Sequence, residues 1–251
     1  MSLVFGSTRL VAVLALCSGW AIACSGEEED TCEIATADIS AVALVIDSGM
    51  DIRAAVDFEL GDRRGRGSPL RLCDTDRLTI NGSTPTEIDK ADRIEHALTL
   101  EPDAERSFTF VLDREAQEDR ITFDVELPDA LEFLSPMDGD PITVGDAQQV
   151  QWEPAVADGI IELGMTEALG GGQCLVAEAE GHTYEDLGGI QVPDTGQWDI
   201  PAGALASESL DPCATTYSLT RLASGTYPAA FERGGRVEAR VERYQDVLIV
   251  P

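Results

Sequence analysis

An alternation of apolar and polar residues with a period of two restricts the fold of this chain more than any other feature of its sequence. From Asp51 to Leu60 the chain reads D-I-R-A-A-V-D-F-E-L, and every second residue from Ile52 onwards is apolar. Because successive side chains of a β-strand point to opposite faces of the sheet, this pattern predicts a strand with one buried face. Residues 94–100, 107–112 and 121–127 repeat it, and the charged connector between the last two predicts a β-hairpin.

Turn signals separate these segments. Asn81-Gly82 and the glycine-rich residues 61–67 provide the backbone freedom that tight turns need. Short strands with turns at this spacing are typical of a β-sandwich, so we predict an all-β fold. The pattern changes after Pro128, and we therefore expect a first β-sandwich domain at residues 32–128 and a second domain at residues 129–251.

The N-terminal 23 residues have the organisation of a secretory signal peptide. Arg9 provides a charged n-region, an apolar run follows from Leu10, and small residues precede Cys24. The run from Leu10 to Cys24 spans 15 residues, fewer than the roughly 18 to 20 that a membrane-spanning helix needs. We therefore predict that residues 1–23 are a signal peptide that is cleaved on export.

The tetrapeptide Ala21-Ile22-Ala23-Cys24 resembles the lipobox of bacterial lipoproteins. The resemblance implies that Cys24 is acylated and becomes the mature N-terminus, followed by an acidic tether, so that residues 24–31 attach the chain to a membrane. Several acyl chains on one residue give stable anchoring. The layout resembles the paired-domain lipoproteins of GC-rich Gram-negative bacteria, which implies the outer membrane, at its periplasmic or its surface face. Secretion without an anchor is the alternative.

The number of cysteines agrees with export. Of the six cysteines, Cys17 would leave with the signal peptide and Cys24 would carry lipid. The four that remain are Cys32, Cys73, Cys174 and Cys213. An even number in an exported chain predicts disulfides, and proximity in sequence favours pairing the first with the second and the third with the fourth, although four cysteines allow three connectivities. No two are spaced as in a zinc site.

The segment that begins at Leu131 reads L-E-F-L-S-P-M-D-G-D-P-I-T-V-G-D-A-Q-Q-V-Q-W-E-P. It resembles the opening of immunoglobulin-like modules in bacterial surface proteins. The residues that carry the resemblance are Pro136, Gly139, Gly145, Asp146, Val150 and Trp152. The resemblance implies an immunoglobulin-like sandwich in the second half, with Trp152 facing inwards. The predicted fold is therefore two immunoglobulin-like β-sandwich domains after a signal peptide and a tether.

The charge of the chain excludes one class of partner. The formal net charge is −30, and residues 121–220 contain nineteen Asp and Glu but no Lys or Arg. Nucleic-acid binding needs clustered basic residues, so no nucleic-acid partner is expected. Carboxylates without basic neighbours must face water, the first domain or cations. Weak calcium candidates are Asp138, Asp140, Asp194 and Asp199. Because no D-x-[DN]-x-[DN]-G loop is present, we predict no specific metal site and no cofactor.

Catalytic motifs are missing from the sequence. The two histidines, His96 and His182, fall in different predicted domains, and neither H-E-x-x-H, G-x-S-x-G nor S-x-x-K occurs. We therefore predict no catalytic residues and interpret the chain as a non-enzymatic, lipid-anchored envelope protein with modules for binding or spacing. An envelope protein or a glycan is the expected kind of partner. The alternatives are a surface hydrolase that acts through paired carboxylates and a purely structural spacer.

Overall fold

The computed structural model describes residues 29–61, 67–102, 105–167, 176–179, 182–183, 189–203, 205–206 and 211–250. Strands dominate these ranges, and the only helices in them are short 3-10 turns at Thr31–Glu33, Thr36–Asp38 and Glu115–Gln117. Within the described ranges, none of these helical turns has the length or apolarity to cross a membrane. The predicted all-β fold is confirmed. The predicted signal peptide, Cys24 and most of the tether lie outside the described residues.

The strands of the first half are β1 (Glu29–Asp30), β2 (Ile39–Asp47), β3 (Ile52–Leu60), β4 (Ser68–Arg71), β5 (Asp76–Ile80), β6 (Thr86–Lys90), β7 (Arg93–Leu100), β8 (Ser107–Arg114) and β9 (Asp119–Glu126). Those of the second half are β10 (Glu132–Ser135), β11 (Pro141–Thr143), β12 (Gln148–Glu153), β13 (Ile160–Glu167), β14 (Val176–Ala179), β15 (His182–Thr183), β16 (Ile190–Pro193), β17 (Gln197–Ile200), β18 (Leu205–Ala206), β19 (Cys213–Ser224) and β20 (Gly235–Val250).

The first sandwich has the strand order of an immunoglobulin constant-type domain. One sheet has the order β6-β7-β3-β2, and the other has the order β5-β8-β9. If β2, β3 and β5 to β9 are named A to G in chain order, these sheets are D-E-B-A and C-F-G. The short strands β1 and β4 extend the end of β3.

The local patterns explain why these strands form. Ile52, Ala54, Val56 and Phe58 are all buried on one face of β3, as their period of two predicts. The predicted hairpin is β8–β9, in which Phe110 stacks on Phe123 with ring centroids 5.0 Å apart. The predicted turn at Asn81-Gly82 has positive φ at both residues, 49° and 77°, which is the conformation that this dipeptide favours.

The second sandwich has a related order. One of its sheets is β10-β12-β17, and the other runs β16-β13-β19-β20 with β11 parallel to the end of β20. If β10, β12, β13, β16, β17, β19 and β20 are named A, B, C, C′, E, F and G in chain order, these sheets are A-B-E and C′-C-F-G. This is again an immunoglobulin-like arrangement. Trp152 on β12 is 2% exposed and faces the core, as predicted. The short strands β14, β15 and β18 form a separate small sheet.

The last strand belongs to both sandwiches. β20 is 16 residues long, about 50 Å when extended. Its first part, Gly235–Val241, pairs in parallel with β2 of the first sandwich, and its last residues, Leu248–Val250, pair with β11 of the second. One sheet therefore continues through both sandwiches. The assignment of residues 129–251 to a single domain stays a prediction, but residues 235–241 pair with β2 and so extend the β6-β7-β3-β2 sheet, whose strands all lie before Pro128.

Candidate functional site at the joint between the sandwiches

The C-terminal hairpin, which we define as β19, β20 and their connecting loop 225–234, is built into the first sandwich. Phe231 in this loop is 2% exposed. Its ring contacts Phe58 of β3 and Phe123 of β9, with centroids 6.2 Å and 6.5 Å away. These two strands lie in opposite sheets, so the loop closes the open side of the first sandwich between β2 and β9.

Backbone contacts hold the loop against β2. The Tyr227 hydroxyl accepts a hydrogen bond from the Ala41 N–H at 3.2 Å and donates to the carbonyl oxygen of Gly234. Gly235 has a φ of 146°, and a Cβ atom there would overlap the Ala41 carbonyl oxygen and the Tyr227 ring. Glycine is therefore required where the hairpin meets β2.

Arg221 holds the connection between the sandwiches. This side chain points inwards from β19 and is 5% exposed. One guanidinium nitrogen donates to the carbonyl oxygens of Asp129 and Ala130, at 3.0 Å and 2.9 Å, and another donates to that of Pro154 at 2.7 Å. The linker after β9 is thus tied to the F strand of the second sandwich.

The charge of Arg221 is neutralised by Asp194. The Arg221 Nε donates to Asp194 Oδ2 at 2.8 Å, and Trp152 Nε1 donates to Asp194 Oδ1 at 2.7 Å. Both carboxylate oxygens are therefore used inside the fold, because this buried ion pair needs hydrogen bonds on each side to offset its desolvation. Asp194 is 4% exposed.

A second ion-pair group lies on the other side of the linker. Arg106 donates to the carbonyl oxygen of Pro128 and lies 3.5 Å from Asp47 at the end of β2. Arg243 on β20 donates to both the carboxylate and the carbonyl oxygen of Asp47, at 3.1 Å and 3.0 Å. Charged side chains thus hold the linker and join the end of β2 to β20, in addition to the Phe231 contact.

A cleft opens beside this joint. We call it the joint cleft; it has a volume of about 520 Å³ and is lined by Glu126, Leu127, Pro128, Asp129, Val156, Gly159, Ile160, Asp194, Arg221, Leu222, Ala223 and Ser224. Its rim carries two exposed apolar side chains, Ile160 at 57% and Leu222 at 44% exposure. Volumes of this order are typical of sites that take small ligands or peptide segments.

The structure brings together one of the two predicted cysteine pairs. Cys32 and Cys73 form a disulfide with Cα atoms 5.4 Å apart, as predicted. Cys213 is also disulfide-bonded, but its predicted partner Cys174 lies outside the described residues. Cys24 lies outside them too.

The four calcium candidates do not come together. Asp194 is the buried partner of Arg221, which leaves it no free oxygen for a cation. Asp140 accepts a hydrogen bond from the Met137 N–H, and Asp199 accepts one from the Gln149 side chain. Asp138 is exposed in the loop after β10. In the described part of the chain, no three His, Cys, Asp or Glu residues are grouped to hold a metal ion.

A buried arginine also fixes the N-terminal entry of the chain. Arg114 at the end of β8 is 1% exposed and lies 3.4 Å from Asp76. It also donates to Thr36 Oγ1 at 2.7 Å and to the carbonyl oxygens of Thr31 and Ile34. Together with the Cys32–Cys73 disulfide, these bonds hold residues 31–36 against the first sandwich.

Three of the described ionisable side chains have shifted pKa values, and burial lowers the pKa of Lys90 on β6 below its ordinary 10.5. His96 on β7 is 4% exposed beside Phe58, and burial lowers the pKa of His96 below its ordinary 6.5. Tyr244 on β20 donates its hydroxyl to Glu242 at 2.8 Å, and desolvation followed by this bond raises the pKa of Tyr244 to about 12. None of the three side chains lines the joint cleft, so none of these shifts marks an acid or base there.

Sequence reasoning missed the residues that make the joint. Arg221 had a readable signal, because the inward positions of β19 are Cys213, Thr215, Tyr217 and Leu219 and a charged residue continues that series. An arginine at an inward strand position predicts a buried ion pair. Phe231 had no such signal, because it lies in a loop without periodicity.

Comparisons with known proteins give weak likenesses only. No family model matches the chain, and no curated protein matches it. Among solved structures, the fibronectin(III)-like modules of Clostridium thermocellum CbhA are 8% identical, with 83% of this chain and 91% of that chain covered and a TM-score of 0.23. DIP-gamma IG1+IG2 is 6% identical, with coverages of 86% and 99% and a TM-score of 0.22. The titin I9–I11 tandem is 8% identical, with coverages of 84% and 66% and a TM-score of 0.21. At these TM-scores the fold assignment rests on the strand pairing alone.

Proposed function

We propose that this protein is a non-enzymatic, lipid-anchored protein of the cell envelope, in which two interlocked β-sandwiches form a stiff support that binds or spaces envelope components. We place it at the outer membrane of a Gram-negative bacterium, on its periplasmic or surface face, attached through Cys24. The observation that supports a stiff support is the C-terminal hairpin, which is shared by both sandwiches.

Stiffness follows from what a relative motion of the sandwiches would break. Two domains joined by a short linker move relative to each other by default. Here such a motion would break seven residue pairs between β2 and β20, and it would remove Phe231 from the first core. A support that holds its two ends at a constant separation is suited to presenting a surface away from a membrane.

The N-terminal end of the first sandwich supports an anchored orientation. The acidic residues 27–30 precede the disulfide at Cys32, and Arg114 fixes the chain from Thr31 onwards. A lipid on Cys24 would therefore pull on a reinforced end of the first sandwich, with the second sandwich further along the chain. The lipobox resemblance of residues 21–24 supports the lipid itself.

The anchor is tested by Cys24→Ser in the native host, because acylation needs the sulfur of that residue. We expect wild-type protein in the detergent phase after Triton X-114 partition and the variant in the aqueous phase or left unprocessed. Cys17→Ser, a cysteine inside the same predicted signal peptide, is the matched control and should behave as wild type. A Cys24→Ser protein that has lost its signal peptide and still enters the detergent phase would contradict the proposal.

The non-enzymatic part is tested with a panel of glycan and peptide substrates. We expect no turnover, because the carboxylate at the floor of the joint cleft, Asp194, is neutralised by Arg221. Turnover that one Asp or Glu substitution abolishes would establish the hydrolase alternative instead.

A further inference from the structure

The joint cleft lies where β19 extends beyond the start of its neighbour β13. β13 begins at Ile160, between β16 on one edge and β19 on the other, and its pairing with β19 begins at the Ile161–Arg221 pair. Among the described strands, β19 has only β20 as a neighbour from Leu222 to Ser224. The outer edge of β19 therefore enters the cleft without a strand beside it.

The opposite wall is a strand edge as well. β9 pairs with β8 and, within the described ranges, with no strand on its other side. Its last residue, Glu126, and the following Leu127 line the cleft opposite Leu222 and Ser224. An unpaired strand edge offers backbone N–H and C=O groups that an extended segment can pair with.

The side chains around this edge define what such a segment should carry. Ile160 and Leu222 are exposed apolar side chains at the rim, and an added strand would cover them. Glu126 and Asp129 on the other wall are exposed carboxylates. The only arginine in the lining, Arg221, is neutralised by Asp194, and residues 121–220 contain no Lys or Arg, so the cleft attracts positive charge.

We propose that the joint cleft binds an extended segment of a basic partner polypeptide, in which apolar and basic residues alternate. The segment lies beside β19 beyond the start of β13 and is held by backbone hydrogen bonds to Leu222–Ser224. Its apolar side chains cover Ile160 and Leu222, and its basic side chains reach Glu126 and Asp129. This stretch of edge is three residues long, about 10 Å, so a segment of about five residues pairs through its central three and has one flanking residue on each side. This inference deepens the binding role proposed above and rests on it.

The probe is acetyl-Lys-Val-Lys-Val-Lys-amide, titrated calorimetrically into the full mature chain in non-ionic detergent. We expect saturable binding of this peptide and none of acetyl-Glu-Val-Glu-Val-Glu-amide. The basic peptide with both valine amides N-methylated keeps its charge but cannot pair with a strand edge. We expect it to bind at least about tenfold more weakly.

Protein variants locate the site. Leu222→Ser should weaken binding about tenfold through lost apolar contact, whereas Leu134→Ser, an equally exposed leucine of β10, should change it by less than about twofold. Glu126→Gln with Asp129→Asn should weaken binding, and Glu132→Gln with Asp138→Asn, which removes the same charge outside the cleft, should not.

Equal binding of the N-methylated peptide, or equal effects of both variants in either matched pair, would show attraction to the acidic surface as a whole and would overturn the inference. Absence of binding would overturn it too. Neither result bears on the anchor, which the partition of Cys24→Ser tests separately.

Discussion

Replacing Phe231 by alanine should separate the unfolding of the two sandwiches. The Phe231 side chain is 2% exposed and packs against Phe58 and Phe123 of the first core, although it belongs to the hairpin of the second sandwich. Truncation of a buried phenylalanine to alanine costs about 3–5 kcal/mol, the sum of lost burial and the cavity that remains. This loss falls on the contact between the sandwiches, so we expect coupling to decrease along with stability.

The tryptophans allow the two sandwiches to be followed separately. Beyond the predicted signal peptide the chain has only Trp152 and Trp198, and both lie in the second sandwich. Fluorescence therefore reports that sandwich alone, whereas far-UV circular dichroism reports both. In urea, wild-type full-length protein should give coincident transitions from the two probes, and Phe231→Ala should give a circular dichroism transition that begins at lower urea.

Phe110→Ala is the matched control. Phe110 is fully buried and stacks on Phe123, but it does not contact the hairpin loop through its ring. Phe110→Ala should lower the free energy of unfolding by a similar amount, about 4 kcal/mol, while the fluorescence and circular dichroism transitions remain closer to coincidence. Coincident transitions in Phe231→Ala, with a loss below about 1 kcal/mol, would refute the view that this side chain couples the sandwiches.

Three further predictions concern buried charge, pH and the disulfide. Arg221→Met leaves the Asp194 carboxylate buried without its partner and should lower the free energy of unfolding in urea by about 3–5 kcal/mol. The control Arg120→Met removes an exposed ion pair and should lower it by less than about 1 kcal/mol. Similar losses in the two variants would contradict this account. Because burial lowers the pKa of His96 in the folded state, the unfolded state binds its proton first as pH falls, so stability should be lost below about pH 6.5. Melting temperatures of wild type and His96→Leu between about pH 7.5 and pH 5.5 check this, and parallel curves would exclude His96 as the cause. Cys73→Ser should lower the free energy of unfolding by about 4 kcal/mol, because the Cys32–Cys73 disulfide closes a loop of 41 residues. A reductant should destabilise the wild type by breaking this disulfide, and the variant, which lacks it, should not lose that contribution again.

Much of the fold was readable from local patterns. The period of two placed β3 and the β8–β9 hairpin, because burial of one strand face requires it. Sequence proximity favoured the Cys32–Cys73 disulfide. The motif at 131–152 indicated an immunoglobulin-like opening with Trp152 inwards, and the strand orders of both sandwiches agree with that class.

The candidate site was less predictable, because its parts come from distant segments. Asp194 was a calcium candidate as an acidic loop residue, but the structure brings Arg221 and Trp152 to its two oxygens. The rim residues Ile160 and Leu222 look like ordinary strand residues in the sequence. Only the tertiary structure, in which β19 extends beyond the start of β13 and the linker passes nearby, makes them the border of a cleft.

Local patterns in the sequence indicated several strands of this protein and which of their faces are apolar, because both follow from the geometry of neighbouring residues. Val237, Ala239 and Val241 follow the same period of two, and all three are buried. Which core they join was decided by the tertiary structure, which pairs Gly235–Val241 with β2, nearly two hundred residues earlier in the chain. A strand pattern indicates that an apolar face is buried, but the element that covers it depends on how distant segments pack. Here β20 pairs with β2 at the open side of the first sandwich, and Phe231 packs into its core.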